Sequence, residues 1–180
     1  MRIKNDLTYD YVSECLTYCP ETGLLSWLYR PIEHFRAESR FKYFTKRFAG
    51  KVAGWKASDG YINVRINGQA YRAHRIAWLL HHGEWPVNLI DHINGNIADN
   101  SLSNLRDVNK FQNAQNIPKP SNNTSGHIGV SRASKGDFYR AQIYCNGKSV
   151  HLGLFRTIEE AIKAREKAQK EYGFHENHGR

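Results

Sequence analysis

The chain has little of what a covalently stapled or membrane-bound protein needs. Cysteine is sparse, with Cys15, Cys19 and Cys145 the only three in 180 residues. An odd, scattered set is poor material for a disulfide framework and suits a reducing compartment. Cys15 and Cys19 stand four apart, yet no second close pair completes a four-ligand zinc site, and none of the nine histidines pairs at ligand spacing with partner cysteines. The opening MRIKNDLTYDYVSECL has no apolar core of a signal peptide, and nowhere do roughly 18 uncharged apolar residues follow one another. A soluble, non-secreted protein without a membrane partner is expected. Acidic residues are also in deficit, 17 against 26 Lys and Arg, for a formal charge of +9. Such a surplus favours phosphate-rich partners or anionic lipid. With 40% hydrophobic and 12% aromatic residues the chain can build packed cores, which excludes global disorder.

Charge is unevenly placed. Residues 1–60 hold 10 basic and 7 acidic side chains, 61–116 hold 5 and 4, and 117–180 hold 11 and 6. The stretch IPKPSNNTS, centred on 117–125, suits neither helix nor sheet and reads as an interdomain linker. Residues 1–60 suggest a helix around Leu7–Leu16, a turn at PETG and a short strand within Leu24–Tyr29. From Arg30 to Lys56, eight basic residues interleave with Phe35, Phe41, Tyr43, Phe44 and Phe48. That mixture fits a nucleic-acid backbone or a solvated loop with buried rings. Next, Ile62, Val64 and Ile66 alternate before Asn67-Gly68, a strong hairpin signal over 61–73. HRIAWLLHH then has helical spacing, with Gly83 placed to end it.

Residues 87–116, VNLIDHINGNIADNSLSNLRDVNKFQNAQN, hold 8 of the chain's 15 asparagines. So many amides pack badly and imply a loop or a site. The outline is a strand ending at Asp91-His92, a turn-rich loop, a second strand at LRDVN and a short helix. The blocks DHINGN, NLR and QNAQN resemble the HNH endonucleases, with His92, Asn104 and Asn113 as the successive His, Asn and Asn. The resemblance implies a ββα-metal (His-Me finger) core that cuts a phosphodiester. It makes His92 the general base, Asn104 the residue that pins the loop, and Asp91 and Asn113 the ligands of one divalent cation. A neutral imidazole can take a proton from water at cellular pH. A carboxylate and an amide are hard oxygen donors suited to Mg²⁺ or Mn²⁺. One difficulty is that neighbours in a regular strand face opposite ways, so Asp91 and His92 share a site only if the strand bends, as Asn94-Gly95 allows. Arg72, His74 and Arg75, around the start of the preceding helix, are candidate DNA contacts, with a surface helix-start pair as the plain alternative for His74 and Arg75.

Downstream, runs at 127–132, 138–145 and 148–155 suggest a three-stranded antiparallel meander, and Thr157-Ile-Glu-Glu160 spells a capping box for a helix ending near Gly173. Alternation aims Val130, Ala141, Ile143 and Val150 at that helix and Arg140, Gln142, Tyr144 and His151 away from it. Arg132, Arg140, Gln142, Tyr144 and His151 are accordingly candidate DNA contacts. GVSR, RAQIYCNGK, HLGLF and TIEEAIKAR resemble the plant ethylene-response-factor (AP-two) DNA-binding domain, also found fused to phage and mobile-element HNH nucleases.

The expectation is an α+β chain. Residues 1–60 form a basic, aromatic region packed on the core, 61–116 the nuclease domain, 117–125 a linker and 126–175 the AP-two-like reader. Its expected activity is metal-dependent, site-specific cleavage of double-stranded DNA, of the homing type, in the cytoplasm of a bacterial host. One active site per chain implies nicking by a monomer, with dimerisation on DNA needed for a double-strand cut. The rivals are a DNA-binding regulator without catalysis and a phage packaging-associated HNH nuclease.

Overall fold

A computed structural model describes residues 5–109, 113, 123–134, 136–145 and 147–174. The chain divides into two compact units, Met1–Asp107 and Val108–Arg180. Residues 117–122 of the expected linker, 110–112 and 114–116 of the expected site helix, and 175 of the expected reader lie outside the described residues.

In the first unit, α1 (Tyr9–Cys15) starts at Thr8, whose hydroxyl accepts from Tyr11 N–H at 3.3 Å, an N-cap that satisfies one orphan donor. β1 (Leu16–Tyr18) and β2 (Leu25–Trp27) pair antiparallel around the PETG turn. The 30–56 segment is more than a solvated loop. After a turn of 3-10 helix at Ile32–His34 it forms α2 (Glu38–Arg47), which sets Phe44 edge-on to Trp27 with ring centres 5.3 Å apart. β3 (Trp55–Lys56), β4 (Ile62–Ile66) and β5 (Gln69–Arg72) make one sheet in sequence order. The Asn67-Gly68 turn has φ of 50° and 79°, both positive, as a two-residue type I′ hairpin turn requires. Glycine costs nothing at such a φ, and asparagine tolerates it.

α3 (Ala73–His82) follows with no intervening loop and ends at Gly83 in the left-handed conformation. Its buried stripe, Ala73, Ile76 and Leu79, joins Val12, Leu16, Leu25, Val64 and Ile66 in one core. β6 (Leu89–His92) and β7 (Leu105–Val108) pair with each other and carry the turn-rich loop between them.

The second unit is a meander of β8 (Val130–Arg132), β9 (Tyr139–Cys145) and β10 (Lys148–Phe155), backed by α4 (Ile158–Glu171). Thr157 and Glu160 close the capping box in both directions, at 3.2 and 3.3 Å. Ala161 is fully buried against Val130 and Ala141, so helix and sheet approach closely. A β-bulge between His151 and Gly153 shifts the register of β10 by one residue.

Candidate active site

β6 delivers Asp91 and His92 in succession, and the chain turns at once. Gly95 N–H donates to His92 O at 2.8 Å, with Gly95 at φ 73°. The asparagines of the loop then bond the loop to itself. Asn94 Oδ1 accepts from Asn96 N–H at 2.7 Å and its amide donates to Asp99 at 2.7 Å. Asp99 also accepts from the Ser101 hydroxyl and backbone N–H, at 2.8 and 3.1 Å, and these bonds hold its carboxyl below the usual range. Short amide side chains that capture nearby backbone explain the composition of this window.

Asn104 ties both ends of the loop. Its side-chain oxygen accepts from Asn94 N–H at 2.7 Å and its amide donates to Asp99 O at 2.8 Å, while its own carbonyl accepts from Ile93 N–H at 2.9 Å. The residue is buried, so each of these bonds replaces one that water would otherwise make.

His92 is 4% exposed. Its Nε2 lies 3.3 Å from Asn100 Oδ1. An amide oxygen only accepts, so Nε2 carries the hydrogen and Nδ1 the lone pair. Burial pushes the imidazole pKa below its ordinary 6.5, against the opposing pull of Asn100, Asp91 and Asp99, so the ring is neutral at neutral pH. His74 from α3 meets it edge to face at 5.1 Å between ring centres, and Tyr61 lies 6.0 Å away. His74 is pushed down to about 3, first by its own burial and then by His92, Arg75 and Arg72. Asn100 is held in turn by the amino-terminal hairpin. Tyr18 Oη donates to its carbonyl at 2.7 Å, and Gly23, at φ 72°, sits so close to the Asn100–Ser101 backbone that no Cβ fits.

Asp91 and His92 are both buried at the end of β6 and keep different neighbours. Asp91 Oδ2 accepts from Arg106 Nε and Nη2 at 2.8 and 2.7 Å, across from β6 on β7, while His92 packs among Tyr61, His74 and Asn100. HNH nucleases typically use a divalent metal ion. Among the described residues no three His, Cys, Asp or Glu side chains gather as a ligand set. Asp91 is a buried hard-oxygen donor next in sequence to a neutral imidazole, chemistry that suits Mg²⁺ or Mn²⁺, although Arg106 must yield Oδ2 for that oxygen to bind an ion. Asn113 belongs to the second unit, where its N–H donates to Asn109 O at 2.9 Å in a helical turn.

The three expected DNA contacts of the first unit, Arg72, His74 and Arg75, already have partners or neighbours within the fold. Arg72 is clamped on Asp59 at 2.6 and 3.1 Å and stacks over Tyr61. His74 is buried beside His92. Arg75, 5% exposed, donates to Pro86 O at 3.1 Å and Asn88 O at 3.0 Å, fixing the entry to β6. Asp107 secures the same entry by accepting from Val87 and Asn88 N–H at 2.8 and 3.0 Å.

In the second unit, Arg140, Tyr144 and His151 are exposed and Gln142 is half-buried, with Gln142 opposite His151 and Tyr144 opposite Ser149. Arg132 is exposed but paired with Asp137 at 2.8 Å. Sequence reasoning missed Tyr61, Asn100 and Arg106. Asn100 looked like any loop asparagine, and nothing local marks a ring or guanidinium that acts through pairing across strands.

The family model described as HNH endonuclease matches residues 71–115. Protein 3.8 of Escherichia phage T7 is 35% identical over 95 residues, covering 52% of this chain and 78% of that protein. No solved structure matches. Among the described residues no helix is long and apolar enough to cross a membrane. The histidine held by Asn100, the loop pinned by Asn104 and the matched sequence coincide within one stretch, and the chain belongs to the HNH endonuclease family as a distant homologue of phage T7 protein 3.8.

Proposed function

We propose that this protein is a metal-dependent, site-specific DNA endonuclease of the homing type that nicks double-stranded DNA. The observation that carries this reading is His92, a buried imidazole whose Nε2 is committed to Asn100 and whose lone pair therefore sits on Nδ1. In the proposed reaction Nδ1 takes a proton from water, the water oxygen attacks phosphorus, and the bond to the 3′ oxygen breaks. Asn104 acts as the positioning residue that keeps the loop, and so Asn100, in register with His92. Asp91 would hold the Mg²⁺ or Mn²⁺ ion, which would stabilise charge on the phosphate and the leaving oxygen; Asn113 is the further ligand that the family resemblance implies.

Placement of the cut is assigned to the second unit. The exposed sheet face with Arg140, Gln142, Tyr144 and His151 has the composition of an AP-two-like reader, in which guanidinium groups position on phosphate and amides read base edges. A monomer then cuts one strand, and a double-strand break needs two copies.

The test is conversion of supercoiled plasmid carrying the cognate site to open circle in Mg²⁺ or Mn²⁺. Intact plasmid in both metals, at protein concentrations that bind it, overturns the reading. One observation favours a rival, a DNA-binding regulator without catalysis, because Arg106 already occupies Asp91 Oδ2. The same assay separates the two, since only the enzyme makes open circles that disappear in His92→Ala.

A further inference from the structure

Beyond the His92 cluster, the first unit holds a cleft of about 1000 Å³ between the α2 segment and the β3–β5 sheet. Its lining includes Arg36 and Arg40 from the α2 segment, Arg65 from β4, and the rings of Tyr43, Trp55 and Trp27. Among the described residues no carboxylate lines it, and Arg36, Arg40 and Arg65 have no ion-pair partner. The nearest acidic residue on α2, Glu38, is taken by Lys42 at 2.8 Å. Trp55 is 40% and Tyr43 55% exposed, and Arg65 lies over the Trp55 ring at 5.4 Å. Arg30 forms part of the same lining but is spent inside, bonded to Tyr11 Oη at 2.8 Å and stacked on Phe35 and Phe44.

Large exposed rings cost free energy in water, and unpaired guanidiniums beside them leave a strong positive field. Together they match one polymer, a strand with a phosphate on every residue and a flat π-face on every base. A duplex hides those faces in its stack, so only unpaired nucleotides can use Trp55 and Tyr43. At about 1000 Å³ the cleft sits at the upper end of ordinary ligand sites, room for more than one nucleotide.

We propose that this arginine-lined aromatic cleft binds single-stranded DNA, with bases stacked on Trp55 and Tyr43 and phosphates on Arg36, Arg40 and Arg65. The proposal rests on the nuclease reading only for the choice of DNA as the polymer. None of its residues belongs to the His92 cluster or to the sheet of the second unit.

The test is fluorescence anisotropy of labelled oligo(dT) of 12 nucleotides with the full chain, in chelator so that no cleavage occurs. Oligo(rU) of equal length and a blunt duplex serve as the other arms. Trp55→Ala should weaken oligo(dT) binding about thirtyfold, the middle of the range for loss of one stacked base. Arg36→Ala with Arg40→Ala should weaken it further and flatten the dependence of log affinity on log salt by about 1.4, near 0.7 for each phosphate contact. Duplex affinity should stay within twofold in both variants. All three proteins should unfold at the same temperature, since the substituted side chains are exposed, and quenching of tryptophan fluorescence by oligo(dT) in the unaltered protein gives a readout free of mutation. Absence of quenching, oligo(dT) affinity that ignores both variants, a parallel fall in duplex affinity, or tighter binding of oligo(rU) overturns the proposal. Plasmid nicking is scored separately, so failure here leaves the nuclease reading standing and failure there leaves this one standing.

Discussion

Polar side chains crowd two regions of this molecule, and they live there under opposite conditions. Around His92 they are buried and bonded to one another, with Asn100, Asn104, Asp91 and His92 all shielded from water. On the sheet of the second unit, Arg140, Tyr144 and His151 stand in solvent. Burying an amide or imidazole costs free energy unless each donor and acceptor is met, so the first cluster has essentially one geometry. The exposed face has many, and can adapt to a groove. A site that must aim a lone pair needs the first kind of surface, and a surface that must accommodate a partner needs the second.

The sharpest attempt to break this contrast is His92→Ala, which should lower nicking about a thousandfold while leaving duplex binding within twofold. Equal loss of both would mean that the buried cluster merely holds the fold. Next in size is acid sensitivity. The unfolded His74 takes a proton near 6.5 and the folded one only at about 3, so stability is full above pH 6.5 and falls as pH drops through that window, by roughly 1.4 kcal/mol per unit. Urea midpoints at pH 7, 6, 5 and 4 would show the decline, His74→Phe should flatten it, and a midpoint constant from pH 6.5 to 4.5 would refute it.

Asn104→Ala should destabilise the first unit by about 2–4 kcal/mol, because it orphans Asn94 N–H and Asp99 O together. Chemical denaturation measures that cost, and a change under 0.5 kcal/mol would show that water replaces the amide. The smallest effect belongs to the exposed face. Arg140→Ala should leave the unfolding temperature unchanged, weaken duplex binding several-fold and reduce the salt slope by about 0.9. A drop in thermal stability instead would place Arg140 in the packing of its own unit.

Much of the local structure was legible beforehand. The hairpin was written in the alternation of Ile62, Val64 and Ile66 before Asn67-Gly68, and the ends of α3 and α4 were written in Gly83 and in Thr157 with Glu160. Asp91, His92 and Asn104 stood out because the blocks DHINGN and NLR resemble the HNH endonucleases. What escaped notice depends on distant pairing. The direct run from β5 into α3 buries His74 and Arg75, which looked like surface residues at a helix start, and α2 arises in a segment whose basic and aromatic residues suggested a nucleic-acid contact or a solvated loop.

The order of residues by itself determined the turns, the caps and the identity of the groups able to do acid–base chemistry, because those follow from backbone sterics and side-chain type within a few positions. Only the tertiary structure decided which of those groups are shielded, which nitrogen of His92 bears its hydrogen, and which arginines are already spent on partners such as Asp59 and Asp91. Burial and charge pairing are set by atoms brought together from positions far apart in the chain, and no local pattern records them.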